Sequence, residues 1–89
     1  MECLEGGVHG ALVAADEERL KERIRLVLRE VREEAGLTQE AMAGRLGLTQ
    51  GYVSKLESGE IKPDFVRVWQ FCRAAGVPLH AFVKRLEAV

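Results

Sequence analysis

The sequence predicts an all-α fold, a compact bundle of five helices. Apolar residues recur every three or four positions along most of the chain, which is the spacing of one face of an α-helix. Glycine, proline and threonine divide this pattern into five segments, and they occupy positions that are typical of helix ends. No segment has the strict alternation of apolar and polar residues that indicates a β-strand.

The composition is that of a globular domain. Of the 89 residues, 47% are hydrophobic and 30% are charged, and this mixture argues against a disordered chain. No stretch approaches the roughly 20 apolar residues of a membrane-spanning helix. Glu2 lies where a signal peptide carries positive charge. We therefore expect a cytoplasmic protein that does not interact with a membrane.

The N-terminal segment lacks a sustained period. Because it is interrupted by glycines, we expect a flexible tail over residues 1–15 and a folded domain over residues 16–89. Asp16 is expected to cap the first helix, and Gly36 is expected to end it in a left-handed conformation. The predicted apolar face of this helix comprises Leu20, Ile24, Val27, Leu28, Val31 and Ala35.

Two short helices follow, joined by a tight turn. Thr38 is expected to cap the second helix, over residues 39–46, and Thr49 the third, over residues 50–58. Gly47 lies between them, and we expect it to adopt the left-handed conformation that only glycine reaches at little cost. The predicted unit is a pair of helices at a fixed angle.

Two more helices complete the predicted bundle. Pro63 is expected in the first turn of the fourth helix, which ends near Ala75, and Pro78 is expected to open the fifth. The predicted inward residues are Phe65, Val68, Phe71, Cys72 and Ala75 on the fourth helix, and Leu79, Phe82, Val83 and Leu86 on the fifth. Trp69 lies off the apolar stripe, so we expect it to be exposed.

The sequence offers little support for an enzyme, a metal site or a cofactor. The two cysteines and two histidines, at positions 3, 72, 9 and 80, lack the spacing of metal ligands. Cys72 lies on an apolar helical face, which indicates a core residue. The sequence contains no glycine-rich nucleotide-binding motif and no nucleophile paired with a base. We therefore expect a non-enzymatic protein with no cofactor.

The second and third helices carry the strongest functional signal. By spacing alone, they fit a DNA-binding helix-turn-helix and a generic small bundle equally well. The residues favour the first. The run Gly36-Leu37-Thr38-Gln39, then Leu46-Gly47, then Ser54-Lys55-Leu56-Glu57-Ser58-Gly59 closely resembles the phage-repressor type of helix-turn-helix, also called the XRE family. The resemblance covers roughly residues 24–86 and implies a lambda repressor-like DNA-binding domain.

The resemblance implies that the third helix enters the major groove of double-stranded DNA. The matching base-reading positions are Gln50, Tyr52, Ser54 and Lys55. A glutamine amide can pair with adenine N6 and N7, and a lysine can donate to guanine O6 and N7. Gly51 departs from the family pattern because it has no side chain to contact a base.

The resemblance also implies phosphate contacts from Gln39, Thr49 and Lys62. Gln39 begins the second helix, where unpaired backbone N–H groups favour an anion. The glutamine that matches Gln39 in the family also braces the residue that matches Gln50. Glu60 lies close to Lys62 along the loop, and its negative charge would weaken that contact.

Two further positions match structural features of the family. Arg32 and Glu57 match a partly buried ion pair that fixes the third helix on the first, although both would otherwise be interpreted as solvated charges. Ala43 matches a small residue at which the second and third helices pack closely.

Together, these residues predict a sequence-specific transcriptional regulator, a repressor that binds a palindromic operator as a homodimer. The fifth helix is the expected dimer interface, with the first helix and N-terminal tail as the alternative. The net charge of −1 is unusual for a DNA-binding protein. The alternative function is therefore an antitoxin or adaptor, a protein-interaction module with a partner such as a toxin.

Overall fold

The computed structural model describes the backbone of residues 10–87 and the side chains of residues 16–87. The helices in chain order are α1 (Gly10–Glu34), α2 (Gln39–Leu46), α3 (Gln50–Ser58), α4 (Phe65–Ala75) and α5 (Leu79–Glu87). Over this part of the chain there is no β-strand. The prediction of an all-α fold with five helices is therefore confirmed.

The core lies where the five helices meet. α1 packs against α3, α4 and α5, and α2 packs against α3 and α4. Each helix contributes at least one fully buried side chain, and burial of such a side chain stabilises the fold by about 1.5–3 kcal/mol. These side chains are Val27, Leu28, Val31, Met42, Val53, Leu56, Phe71, Cys72 and Phe82.

The ends of α2 and α3 lie where the sequence predicts them. The hydroxyl of Thr38 accepts a hydrogen bond from the backbone N–H of Ala41 at 3.0 Å, and that of Thr49 accepts one from Tyr52 at 3.1 Å. Gly47 has a φ of 69°, in the left-handed region that costs other residues about 1–2 kcal/mol. The two caps and this glycine fix the turn that joins α2 to α3.

The start of α1 differs from the prediction. The helix begins at Gly10, so the last six residues of the predicted tail continue the first helix, while residues 1–9 lie outside the described part. Asp16 does not cap the helix, because it lies inside it and accepts a hydrogen bond from Arg19 at 2.8 Å. The alanine-rich stretch before Asp16 has high helix propensity, and it continues the helix toward the N-terminus.

The start of α4 also differs. Pro63 lies in the loop, and Asp64 caps the helix by accepting a hydrogen bond from the backbone N–H of Arg67 at 2.8 Å. Phe65, predicted to face the core, is 70% exposed because it is the first residue of the helix and borders the loop. Trp69 is 44% exposed, as predicted.

The apolar faces of α1 and α5 are less completely buried than predicted. On α1 the fully buried residues begin at Val27, so Leu20 lies in a half of the helix that is only partly covered and is 47% exposed. Ala35 is also exposed, since α1 ends one residue before it. On α5 Phe82 is buried, but Val83 is exposed. These helices therefore leave apolar surface open along one side of the bundle.

Cys72 is a core residue, as predicted. Burial raises the pKa of its thiol to about 11, so the thiol stays protonated at neutral pH. Cys3 and His9 lie outside the described residues. Within residues 10–87, no helix combines the length and apolar character needed to cross a membrane, and no three His, Cys, Asp or Glu side chains are grouped so that they could hold a metal ion.

Candidate nucleic-acid interface

The outward side of α3 carries a stripe of polar positions. Val53 and Leu56 fix the opposite side of this helix in the core, where both are fully buried. Gln50 and Ser54 lie four positions apart and share one helix face, and Lys55 extends the same outward side to an arc of about 140° around the helix. Gln50 and Lys55 are exposed and Ser54 is half-buried. The structure thus places three of the four predicted base-reading residues on one accessible stripe.

Tyr52, the fourth predicted base-reading residue, has different surroundings. It is half-buried and packs against the core. The guanidinium of Arg67, on α4, lies 5.2 Å from the centre of its ring, which is within the range of a cation–π interaction. Sequence reasoning missed Arg67, because it lies outside the helix-turn-helix and only the fold brings it to the edge of α3.

The two glutamines that begin α2 and α3 are in direct contact. The side-chain amide of Gln50 donates to the side-chain oxygen of Gln39 at 2.6 Å, and the amide of Gln39 donates to Glu57 Oε1 at 3.1 Å. The exposed end of α3 is therefore connected by hydrogen bonds to a buried carboxylate.

Glu57 and Arg32 form a bidentate ion pair between α3 and α1. Arg32 Nε donates to one carboxylate oxygen at 2.6 Å, and Arg32 Nη2 donates to the other at 3.0 Å. Arg32 Nη1 also donates to the carbonyl of Leu37 at 2.7 Å. The two residues are only 8% and 5% exposed. The hydrogen bonding of Arg32 to the Glu57 carboxylate raises the pKa of Arg32, against the opposing effect of burial.

The predicted phosphate-binding residues lie at the edges of this surface. Gln39 is half-buried at the first position of α2, and only one of its two amide hydrogens is used by Glu57. Thr49 is exposed, and its hydroxyl oxygen is already engaged in the cap of α3. Lys62 is exposed in the loop between α3 and α4.

The loop before Lys62 is covered by a basic side chain that sequence reasoning did not assign to it. Arg25 of α1 packs on Gly59, where an added Cβ would lie 2.9 Å from Arg25 Cδ. Gly59 also has a φ of 87°, so both its backbone and its surroundings require glycine. Arg25 and Lys62 line the same groove beside this loop, although Arg25 also pairs with Glu22 at 3.4 Å.

The local charge is more favourable for an anion than the sequence indicates. Counted along the chain, Lys55 and Lys62 are balanced by Glu57 and Glu60. In the structure the charge of Glu57 is buried and compensated by Arg32, so it does not contribute to the exposed surface. Of the two carboxylates, only Glu60 remains exposed there.

The sequence and the fold both match known helix-turn-helix proteins. The helix-turn-helix family model matches residues 28–82. An uncharacterized HTH-type transcriptional regulator of Methanothermobacter thermautotrophicus is 40% identical over 53 residues, which cover 60% of this chain and 77% of that protein. A similar regulator of Sinorhizobium fredii, y4dJ, is 40% identical over 47 residues, which cover 53% of this chain and 61% of that protein.

Solved structures give the same result. An XRE-family like protein from Pseudomonas syringae pv. tomato superposes with a TM-score of 0.75 and 36% identity, over 90% of this chain and 96% of that one. The clp gene regulator ClgR of Corynebacterium glutamicum superposes with a TM-score of 0.70 and 25% identity, over 75% of this chain and 86% of that one. The chain therefore belongs to the XRE family of helix-turn-helix transcriptional regulators.

Proposed function

We propose that this chain is a repressor that binds a palindromic operator in the cytoplasm as a homodimer and reads its sequence through α3. The observation that carries the proposal is the polar stripe of Gln50, Ser54 and Lys55 on a short helix. The opposite side of that helix is fixed in the core, and its orientation is held by a buried ion pair. A rigidly mounted helix with accessible polar side chains fits the width of the major groove.

Each residue of the stripe has a role that follows from its chemistry. The Gln50 amide pairs with adenine, and the Lys55 ammonium donates to guanine O6 or N7. The Ser54 hydroxyl accepts or donates, so it discriminates less. Tyr52 contributes the edge of its ring to a thymine methyl group, while its face holds Arg67.

Phosphate contacts fix the position of α3 in the groove. Gln39 donates its remaining amide N–H at the start of α2, where the helix dipole also favours an anion. Thr49 and Lys62 contact the backbone on either side of α3, and Arg67 is near enough to α3 to add a further contact. Contacts of this kind set register and affinity but carry no sequence information.

A homodimer matches the symmetry of a palindrome, with half-sites about 34–36 Å apart. The two interfaces that the sequence offers, α5 and the first helix, meet at one open groove. This groove has a volume of about 420 Å³, and its apolar lining comes from Leu20, Leu26 and Leu86. Its charged rim includes both acidic and basic side chains. We place the dimer contact on this side, where α1 and α5 both line the groove.

The alternative function, an antitoxin or adaptor that binds another protein, is favoured by a different surface. Phe65, Val66 and Trp69 are exposed on α4, and exposed apolar side chains that lie close together are typical of protein-binding surfaces. A chain with this role alone would not require α3 to be accessible.

Selection from a pool of randomised double-stranded DNA tests the proposal. We expect the wild-type chain to enrich a palindromic site at low salt, and the double variant Gln50→Ala/Lys55→Ala to enrich none. Circular dichroism of the variant controls for folding, since both residues are exposed. If the folded wild-type chain enriches no sequence, the repressor function is refuted and the protein-binding function is favoured.

A further inference from the structure

Four polar side chains form one continuous hydrogen-bonded chain from the core to the exposed face of α3. It runs from Arg32 through Glu57 and Gln39 to Gln50. We refer to these four residues as the relay. Arg32 and Glu57, at its inner end, are buried, and Gln50, at its outer end, is exposed. The fixed position of the buried pair therefore restricts the orientation of a side chain on the surface that is proposed to read DNA.

We infer that Glu57 determines which bases α3 accepts, because it fixes the direction of the Gln50 amide through Gln39. The inference rests on the proposed contact between Gln50 and a base. It assigns Glu57 and Gln39 a positioning role in specificity, in addition to their roles in stability and in phosphate binding.

The direction of the relay is set by what each group can donate. A carboxylate only accepts hydrogen bonds, and each oxygen of Glu57 accepts one from the guanidinium of Arg32. The group of Gln39 that faces Glu57 must therefore be its NH₂, at 3.1 Å. The reverse orientation would place two oxygens in contact beside a buried charge.

The orientation of the Gln39 amide in turn fixes the orientation of the Gln50 amide. Since the NH₂ of Gln39 faces Glu57, its oxygen faces Gln50, and the contact at 2.6 Å requires Gln50 to donate. The oxygen of Gln50 is left on the outward side, together with its second N–H. This orientation does not depend on how the two amides are assigned, because only one arrangement gives every contact a donor and an acceptor.

The outward oxygen of Gln50 selects bases that offer an amino group. Adenine presents N6–H₂ beside N7, so it pairs with both the oxygen and the remaining N–H, and cytosine presents N4–H₂. Guanine O6 and thymine O4 are acceptors and would face the amide oxygen without a proton between them. The relay therefore predicts a preference for amino over keto bases at the position read by Gln50.

The inner half of the relay is rigid enough to impose this direction. Arg32 is held by a third hydrogen bond to the carbonyl of Leu37 at 2.7 Å, so neither member of the ion pair is free to rotate. The hydrogen bond from Gln39 to Glu57 is partly shielded from water, which strengthens it, and rotation of the Gln39 amide would break it. An exposed glutamine without such a partner would present either end of its amide.

The test uses four duplexes that carry the selected site and differ only at the base pair whose preference is lost in Gln50→Ala. For the wild-type chain we expect amino bases to be favoured over keto bases by about 5- to 100-fold in Kd, the range of a good bidentate contact. The side chain introduced by Gln39→Lys can only donate hydrogen bonds. It should therefore turn the Gln50 oxygen inward and reverse the preference, so that keto bases are favoured over amino bases. Gln39→Met has no polar group and should bring the ratio close to one.

A variant at the buried end separates positioning from stability. In Glu57→Gln the side chain offers an oxygen or an NH₂ to Gln39, so the direction is no longer fixed and the amino-to-keto ratio should fall. The comparison is made at a temperature where circular dichroism shows the variant to be folded. A purely structural role for Glu57 would weaken binding to all four duplexes alike and leave the ratio unchanged.

The outcomes test the relay separately from the proposed reading of DNA by α3. A keto preference in the wild-type chain, or an amino preference that Gln39→Lys does not move, would overturn the relay while leaving α3 as the reading helix. If the wild-type chain binds all sequences equally, the proposed function itself fails, and this result is already visible in the selection experiment.

Discussion

Two arginine–glutamate pairs join separate helices with the same two hydrogen-bond distances in very different surroundings. Arg32 of α1 donates to both oxygens of Glu57 on α3 at 2.6 and 3.0 Å. Arg85 of α5 donates to both oxygens of Glu34 on α1 at 2.6 and 3.0 Å. The first pair is buried beside the helix-turn-helix, whereas the side chain of Glu34 is 59% exposed on the far side of α1.

The difference shows that burial, and not distance, decides what such a pair contributes. In water both charges of the Arg85 pair remain well solvated if it breaks, so it contributes little to stability. The Arg32 pair has no such alternative, because either charge left alone would be buried and unpaired. Stability should therefore depend steeply on the Arg32–Glu57 pair and only weakly on the Arg85–Glu34 pair.

The substitution Glu57→Ala should have the largest effect on stability. It leaves the Arg32 guanidinium buried without a carboxylate, so we expect the free energy of unfolding to fall by about 3–5 kcal/mol. Chemical denaturation measures the change directly. Glu34→Ala is the matched control, because it removes the same side chain from a surface pair with the same hydrogen-bond distances, and its effect should be small. Equal midpoints for the two variants would contradict the account.

A larger residue at position 43 tests the packing of α2 against α3. Ala43 is buried with 4% of its surface exposed, so Ala43→Leu must push the two helices apart. We expect a loss of about 1–3 kcal/mol in stability and, since α3 moves relative to the rest of the surface, loss of specific DNA binding. Ala41→Leu places the same side chain at an exposed position of α2 and should leave stability nearly unchanged. Specific binding retained by a folded Ala43→Leu variant would be inconsistent with a fixed α2–α3 angle.

The loop lysine offers a smaller effect on affinity. If Lys62 contacts a phosphate, Lys62→Ala should weaken binding to all sequences alike and reduce the slope of log affinity against log salt by about 0.9. Lys84 is the control, because it lies on α5, which packs against α1 and α4. Titrations at several salt concentrations give both slopes. A slope that changes as much in Lys84→Ala as in Lys62→Ala would show that the effect is one of overall charge.

The smallest expected effect is the acid sensitivity of the exposed pair. The hydrogen bond from Arg85 holds the pKa of Glu34 below its ordinary value of 4.5. A carboxyl group with a lowered pKa stabilises the folded state fully above its unfolded pKa, and this contribution is lost as the pH falls through the folded value. The stability of the wild-type chain and of Arg85→Ala should therefore converge as the pH falls below 4.5. A gap that widens in acid would mean that Arg85 acts elsewhere.

The sequence predicts the α2–α3 side of the molecule better than the α1–α5 side, and the reason is physical. Both ends of α2 and of α3 carry local signals, a threonine that caps and a glycine that ends, so their bounds follow from neighbouring residues alone. In the sequence, Gly10 is not a typical first residue of a helix, and Asp16 offers a misleading capping signal. The exposure of Leu20 depends on how far α5 covers α1, which no local pattern specifies.

The candidate site also has some features that follow from local sequence and others that depend on the fold. The stripe of α3 follows from helical spacing, and the resemblance to the XRE family implies the contact between Gln39 and Gln50. The direction of that contact depends on a carboxylate that the fold brings from the other end of α3. Arg67 and Arg25 reach the interface from α4 and α1, at distances along the chain that sequence patterns do not connect.

The central proposal is that α3 reads bases in the major groove. Replacing purines of the selected site by 7-deazapurines removes the N7 acceptor from the major groove, whereas replacing guanine by inosine removes the N2 amino group from the minor groove. We expect wild-type binding to weaken markedly with 7-deazapurines at the positions lost in Gln50→Ala/Lys55→Ala, and to be unchanged with inosine. Binding that weakens with inosine and tolerates 7-deazapurines would contradict the reading of DNA by α3.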